Sequence, residues 1–171
     1  MKLIKYILII FISLLSLNHH SYATKKTTTE EKFYNTLQYG KFESALHKFE
    51  TENNIKISTP KKFPFEVTHK FGKINDGTGY NRFLDLYYYN ENTKEWITTI
   101  IINGNREIQK IPTDQNIKVD NLNVMYRKRN DGNLTAQIEF HKENLTYVIL
   151  VSNKVNNFQK NDVVNIVKSI K

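Results

Sequence analysis

The stretch from Leu134 to Ser152, LTAQIEFHKENLTYVILVS, constrains the fold more than any other part of the chain. Leu134, Ala136, Ile138 and Phe140 alternate with Thr135, Gln137, Glu139 and His141, the period-two pattern of a strand with one buried face. Tyr147 to Val151 is apolar at every position, which predicts a central strand covered on both sides. A two-residue turn at Glu143-Asn144 sets Phe140 opposite Tyr147, Ile138 opposite Ile149 and Ala136 opposite Val151, so one register keeps all six side chains on one face. A slip by one residue moves the whole set into water.

The flanking segments extend this ribbon. Leu122, Val124 and Tyr126 alternate with polar neighbours, and a three-residue loop Asn130-Asp131-Gly132 with Gly132 left-handed pairs Tyr126 with Ala136, Val124 with Ile138 and Leu122 with Phe140. Upstream, Arg82–Tyr89 and the β-branched run Trp96–Ile102 form a second hairpin. Val67–Ile74 is expected to be an edge strand, Ile108–Ile111 a short extended piece ended by Pro112, and Ile117–Val119 a further short strand. Asn75-Asp76-Gly77-Thr78-Gly79 concentrates turn residues but lacks the Lys-Ser/Thr pair of a phosphate loop and the carboxylates of a calcium loop. From Glu30 to Asn53, Phe33, Leu37, Phe42, Ala45, Leu46 and Phe49 recur at helical spacing, giving one helix bent at Gly40 or two short ones, with Thr29 as cap. Pro60 and Pro64 make Ile55–Val67 an extended connector. Val163, Val164, Ile166, Val167 and Ile170 mark a terminal helix from Lys160 to Ile170, with Asp162 at its positive start and Lys168 near its negative end. The predicted fold is α+β: an antiparallel meander sheet with an N-terminal helical segment and a C-terminal helix packed on it.

Residues 1–23 have the three-part layout of a secretory signal: Lys2 and Lys5, an apolar run from Ile7 to Phe11 continuing through Leu17, then Ser21-Tyr22-Ala23. The run is shorter than the roughly 20 apolar residues that span a bilayer, which favours cleavage after Ala23 over retention as an anchor. Residues 24–29 then form a flexible polar leader and residues 30–171 a single domain, secreted or held at the cell surface. The chain has no cysteine, so an exported domain of this size is held by its core without a disulfide, a habit of Gram-positive bacteria more than of animals. Removing Lys2 and Lys5 from 25 basic residues leaves 23 against 17 acidic ones, a moderate +6. That balance permits attraction to a cell-envelope polyanion, and no nucleic acid is expected as a partner.

Chemistry is thinly represented. His-Glu-x-x-His, Gly-x-Ser-x-Gly and a cysteine nucleophile are all missing, so no catalytic residue, metal ligand or cofactor is expected. Glu139 and His141 share a strand face as an acid/base or metal pair would, but solvent-facing alternation explains them with no further assumption. Two groups are candidates for ligand contact. Tyr87, Tyr89 and Trp96 offer rings for stacking on sugars or bases, and Arg127, Lys128 and Arg129 are the densest basic cluster. Rings covering a sheet face and charges guarding a hairpin tip are the alternatives.

The order of a helix followed by Ile-Lys-Ile-x-x-Pro-Lys-x-x-Pro at Ile55–Pro64, and the ending Tyr-Val-Ile-Leu at Tyr147–Leu150 with Val-Val-Asn-Ile-Val-Lys-Ser-Ile-Lys at Val163–Lys171, resemble a domain of unknown function. That domain occurs in exported and membrane-tethered proteins of Gram-positive bacteria, sometimes beside anti-sigma-like or lipoprotein-sorting-like modules. The resemblance covers Glu43 to Lys171 and departs from the family pattern at Phe63-Pro64-Phe65-Glu66. It implies an envelope-facing α+β domain and assigns no site residue. The expected function is a secreted or cell-surface binding module without chemistry of its own, whose partner is an envelope polyanion or another surface protein, with membrane contact only through an uncleaved signal. The alternatives are an extracellular enzyme acting on cell-wall material and an exported partner of a toxin, inhibitor or sensor system.

Overall fold

The structure, a computed structural model, describes residues 27–76, 82–129 and 132–170. The predicted signal segment, the first residues of the predicted leader, Gly77–Gly79 of one predicted turn and Asn130-Asp131 of another lie outside the described residues. In chain order the elements are α1 (Thr29–Asn35), β1 (Gly40–Lys41), α2 (Phe42–Asn53), β2 (His69–Asn75), β3 (Phe83–Tyr89), β4 (Trp96–Asn103), β5 (Gln115–Val119), β6 (Leu122–Lys128), β7 (Leu134–Lys142), β8 (Leu145–Ser152) and α3 (Lys160–Lys168). The strands form one antiparallel eight-stranded sheet in the order β1-β2-β3-β4-β8-β7-β6-β5. It is built from two meanders, β2-β3-β4 and β5-β6-β7-β8, zipped together along β4 and β8. The mixed α+β class follows from the sequence pattern.

The central hairpin has the expected register: Phe140 faces Tyr147, Ile138 faces Ile149 and Ala136 faces Val151. Glu143 (φ 53°) and Asn144 (φ 60°) are both left-handed, the backbone of a primed two-residue turn whose twist matches the flanking strands. The Phe140 and Tyr147 rings stack with centroids 5.0 Å apart. β8 is central, and on its outer side Val148 and Leu150 are only half buried.

Three expectations are corrected. Between β6 and β7, Tyr126 faces Ile138 rather than Ala136, a slide of two residues that preserves which face each side chain takes. Arg129 N donates to Thr135 O (2.8 Å), so Arg129 pairs with Thr135 rather than Asn133 and the three-residue loop is not formed; on its other side Thr135 bulges out of the β7–β8 ladder. Gly132 is left-handed, as its position in the turn predicts (φ 56°). Ile108–Ile111, expected only as a short extended piece, lies outside the sheet, and Ile111 is exposed. β2 is not the edge, because β1 pairs with Phe71 and Gly72. Gly72 is required there: a Cβ would sit 2.7 Å from the Ala45 Cβ and 3.2 Å from the Phe42 carbonyl oxygen, where α2 rests on the strand.

Two helices, not one, occupy the N-terminal stripe. Thr28 caps α1, its side chain accepting from Glu31 N while the Glu31 carboxylate accepts from Thr28 N, one residue earlier than the sequence suggests. Asn54, left-handed at φ 52°, closes α2. At the start of α3 the Asp162 carboxylate accepts from Gln159 N (2.8 Å), while Asp162 N donates to the Gln159 backbone carbonyl (3.0 Å). One sheet face carries Leu84, Leu86 and Tyr88, Ile97 and Ile101, Ala136, Ile138 and Phe140, and Tyr147, Ile149 and Val151, in one apolar cluster with Phe42 and Phe49 of α2 and Val163, Ile166 and Val167 of α3. The opposite, outer face carries the polar and aromatic alternates.

Candidate functional site

The outer face is covered at its two ends by different devices. At the β5 end the cover is the crossover 104–114, which leaves β4 in the middle of the sheet and reaches β5 at its edge. Outward-pointing polar side chains of three successive strands hold it. Thr146 of β8 accepts from Arg106 N (2.9 Å) and donates to the Gly104 carbonyl (2.8 Å). His141 of β7 bonds through Nε2 to the Arg106 carbonyl (2.7 Å). Arg127 of β6 donates to the Gln109 carbonyl (2.8 Å) and grips Asp114 through Nε and a terminal nitrogen, both at 2.7 Å. With side chains only 13% and 4% exposed, the Arg127–Asp114 pair is largely withdrawn from water. These hydrogen bonds hold the Asp114 carboxyl below the usual carboxylate range and raise Arg127 in turn.

The predicted basic cluster is therefore divided. Arg127 is committed to Asp114, and Arg129 donates to Gln137 Oε1 (3.0 Å), whose amide nitrogen donates to Glu139. Lys128 pairs opposite Ala136 and projects from the other face. Glu139 and His141 do not meet as an acid/base pair, since each is bonded to a different neighbour.

At the β2 end the cover is α1. Phe33 is buried and lies flat on Phe71 (4.1 Å between centroids, planes 7° apart), and it also meets Tyr87 at 5.0 Å and Tyr89 at 5.7 Å. Thr29 Oγ1 donates to Glu91, tying the helix start to the β3–β4 loop. That loop is organised by Asn90, buried beneath it. Its amide nitrogen donates to the Glu66 carbonyl (2.8 Å) and its oxygen accepts from Asn92 N and Thr93 N, which fixes the left-handed Lys94 and delivers Trp96 to the outer face.

Tyr87, Tyr89 and Trp96, predicted as a group, are brought together. Tyr87 stacks on Trp96 (5.5 Å, 22°) and lies 6.3 Å from Tyr89. With Phe33, Leu37, Lys32, Lys94 and Thr27–Thr29 they line a cleft of about 440 Å³. Lys94 Nζ sits 6.0 Å from the centre of the Tyr89 ring, a cation over a π-face. The wall supplied by α1 was invisible in the sequence, because helical spacing says that Phe33 is covered but not by which face of the sheet, and Leu37, predicted on the same buried stripe, lies past the helix end and is exposed.

Next to the cleft, Asp85 accepts from Tyr39 Oη (2.7 Å) at one oxygen and from Thr98 Oγ1 at the other. Burial pushes the Asp85 carboxyl up, against the opposing pull of these two hydrogen bonds and of Lys73. Burial likewise raises the Tyr39 hydroxyl, helped by the Asp85 charge, and the Tyr87 hydroxyl, helped by Tyr89 and Asp85. Between the two covers lie the half-buried Ile100, Val148 and Leu150. Among the described residues no three histidine, aspartate or glutamate side chains gather as a metal ion would require, and no helix is long and apolar enough to cross a membrane. Comparison with protein-family models, with curated proteins and with solved structures finds no match.

Proposed function

We propose that this protein is an exported, envelope-facing binding module that takes the ring faces of an acidic glycan into the cleft between α1 and β3–β4, without altering it chemically. The carrying observation is the aromatic wall of Phe33, Tyr87, Tyr89 and Trp96 around about 440 Å³, with Lys32 and Lys94 at the same cleft. Flat rings gain by stacking on the apolar faces of sugars, and ammonium groups beside them suit carboxylate or phosphate substituents. α2 and α3 roof the inner face, so the cleft opens on the outer one, beside α1. Removal of residues 1–23 belongs to the same reading.

Trp96 is the one tryptophan in the chain, so its emission reports on the cleft directly. Titration of the protein with fragments of wall glycan bearing acidic groups is expected to shift or quench that emission saturably. Tyr87→Ala or Lys94→Ala should weaken binding by about tenfold, the value of roughly 1.4 kcal/mol expected for one stacked ring or partly desolvated cation. Emission unmoved by every acidic and neutral glycan tried, in a protein that melts normally, would refute the proposal.

A further inference from the structure

On the inner side of the molecule, a groove runs between α3 and the connector that precedes β2. It has two adjoining stretches, of about 570 and 490 Å³, both lined by Lys61, Lys62 and Asn165. The first has an apolar floor of Phe63, Phe65, Val67 and Ile166. Phe63 is fixed in place by the Tyr88 ring (4.5 Å). The connector is clasped to the helix by one side chain: Ser169 Oγ accepts from Lys61 N (2.9 Å) and Lys62 N (3.1 Å) and donates to the Ile166 carbonyl (2.6 Å). That clasp sets two consecutive lysines on the groove's wall with their backbones immobilised.

The charges around the groove are unequal. Lys61, Lys62, Lys70 and Lys168 line it against Asp162 and Asp120. Asp162 is engaged by Gln159 N (2.8 Å) and Asp120 by Lys168 (3.5 Å). Among the described residues no carboxylate pairs with Lys61 or Lys62, and Asn165 stands exposed on α3 beside them. The geometry points to a second binding site, in which this groove receives an extended acidic peptide segment carrying apolar side chains. Lysines answer the carboxylates, the phenylalanine floor takes the apolar side chains, and the Asn165 amide, at once donor and acceptor, pairs with a peptide group. A bare phosphodiester chain would use the lysines and leave the floor unfilled. The site lies on the opposite side of the sheet from the aromatic cleft and stands without it.

The test uses a fluorescein-labelled peptide alternating glutamate and leucine, with glutamine-leucine and glutamate-serine counterparts and polyphosphate as competitor. Saturable binding of the first peptide is expected, weakened about tenfold by the double variant Lys61→Glu/Lys62→Glu and also by Asn165→Ala. Lys118→Glu, on the exposed edge strand, should leave it unchanged. Both lysines are exposed, so the double variant should keep the wild-type melting temperature, and Trp96 emission should not respond to the peptide. Absence of binding, equal binding by the charge-reversed protein, or equal binding of the glutamate-serine peptide would overturn the proposal. So would displacement by polyphosphate that is as complete for the double variant as for the wild type.

Discussion

Asp85 and Asp114 lie on the same outer face and titrate in opposite senses. Burial raises Asp85, so the folded protein holds that proton more tightly than the unfolded chain does, and its contribution to stability is lost as pH rises through the raised value. Asp114 is lowered by its hydrogen bonds to Arg127, so its contribution is present above the ordinary carboxylate value of about 4 and is lost as pH falls through the lowered one. Unfolding free energies of Asp85→Asn and Asp114→Asn, measured in urea across the acid to neutral range, should therefore diverge. Asp85→Asn should gain on the wild type as pH rises, whereas Asp114→Asn should lose most at neutral pH, by about 3 kcal/mol for a broken, nearly buried pair, and approach the wild type in acid. Parallel pH profiles for the two variants would contradict this assignment. Only the residue types were legible here. Nothing near Asp85 in the chain announces Tyr39 and Thr98, and the partner of Arg127 lies across a crossover that polar composition alone does not route.

Among the elements, the β7–β8 hairpin shows what local pattern can decide. Its turn has two residues, so the alternating side chains on either side admit a single register, and the structure has it. Glu143 nevertheless occupies a left-handed position that asparagine fills at lower cost, and Asn144 one that glycine does. The double substitution Glu143→Asn/Asn144→Gly should stabilise the protein by about 1 kcal/mol, seen as a rise in denaturation midpoint with unchanged slope. A fall in the midpoint would mean that the Lys142–Glu143 contact (3.7 Å) outweighs the backbone term. Where a longer loop intervenes, as between β6 and β7, pattern fixes the face but not the offset, and pairing of Arg129 with Thr135 instead of Asn133 moves the register by two. The same limit hid the Ser169 clasp: a C-terminal serine reads as a helix end, and its bonds reach back more than a hundred residues.

For the molecule as a whole, strand order separates sequence neighbours from partners. β4 has β3 on one side and β8 on the other, and β8 comes last of the strands in the chain. Until residues 145–152 arrive, Ile97 and Ile101 belong to an open edge, with the entire second meander absent. A fragment ending at Asn103 should therefore lack a cooperative melt by circular dichroism, even though it contains α1, α2 and four strands; a sharp transition in that fragment would show an independently stable N-terminal half. The contacts that close the sheet join residues about fifty positions apart, which places this protein among slower folders than a helical bundle of its length.

The late arrival of β8 also bears on quality control. A product broken off by a premature stop anywhere before Leu145 carries bare strand edges and uncovered isoleucines, the features that proteases and holding chaperones engage. Completeness of the polypeptide is thereby coupled to its ability to hide these edges and side chains.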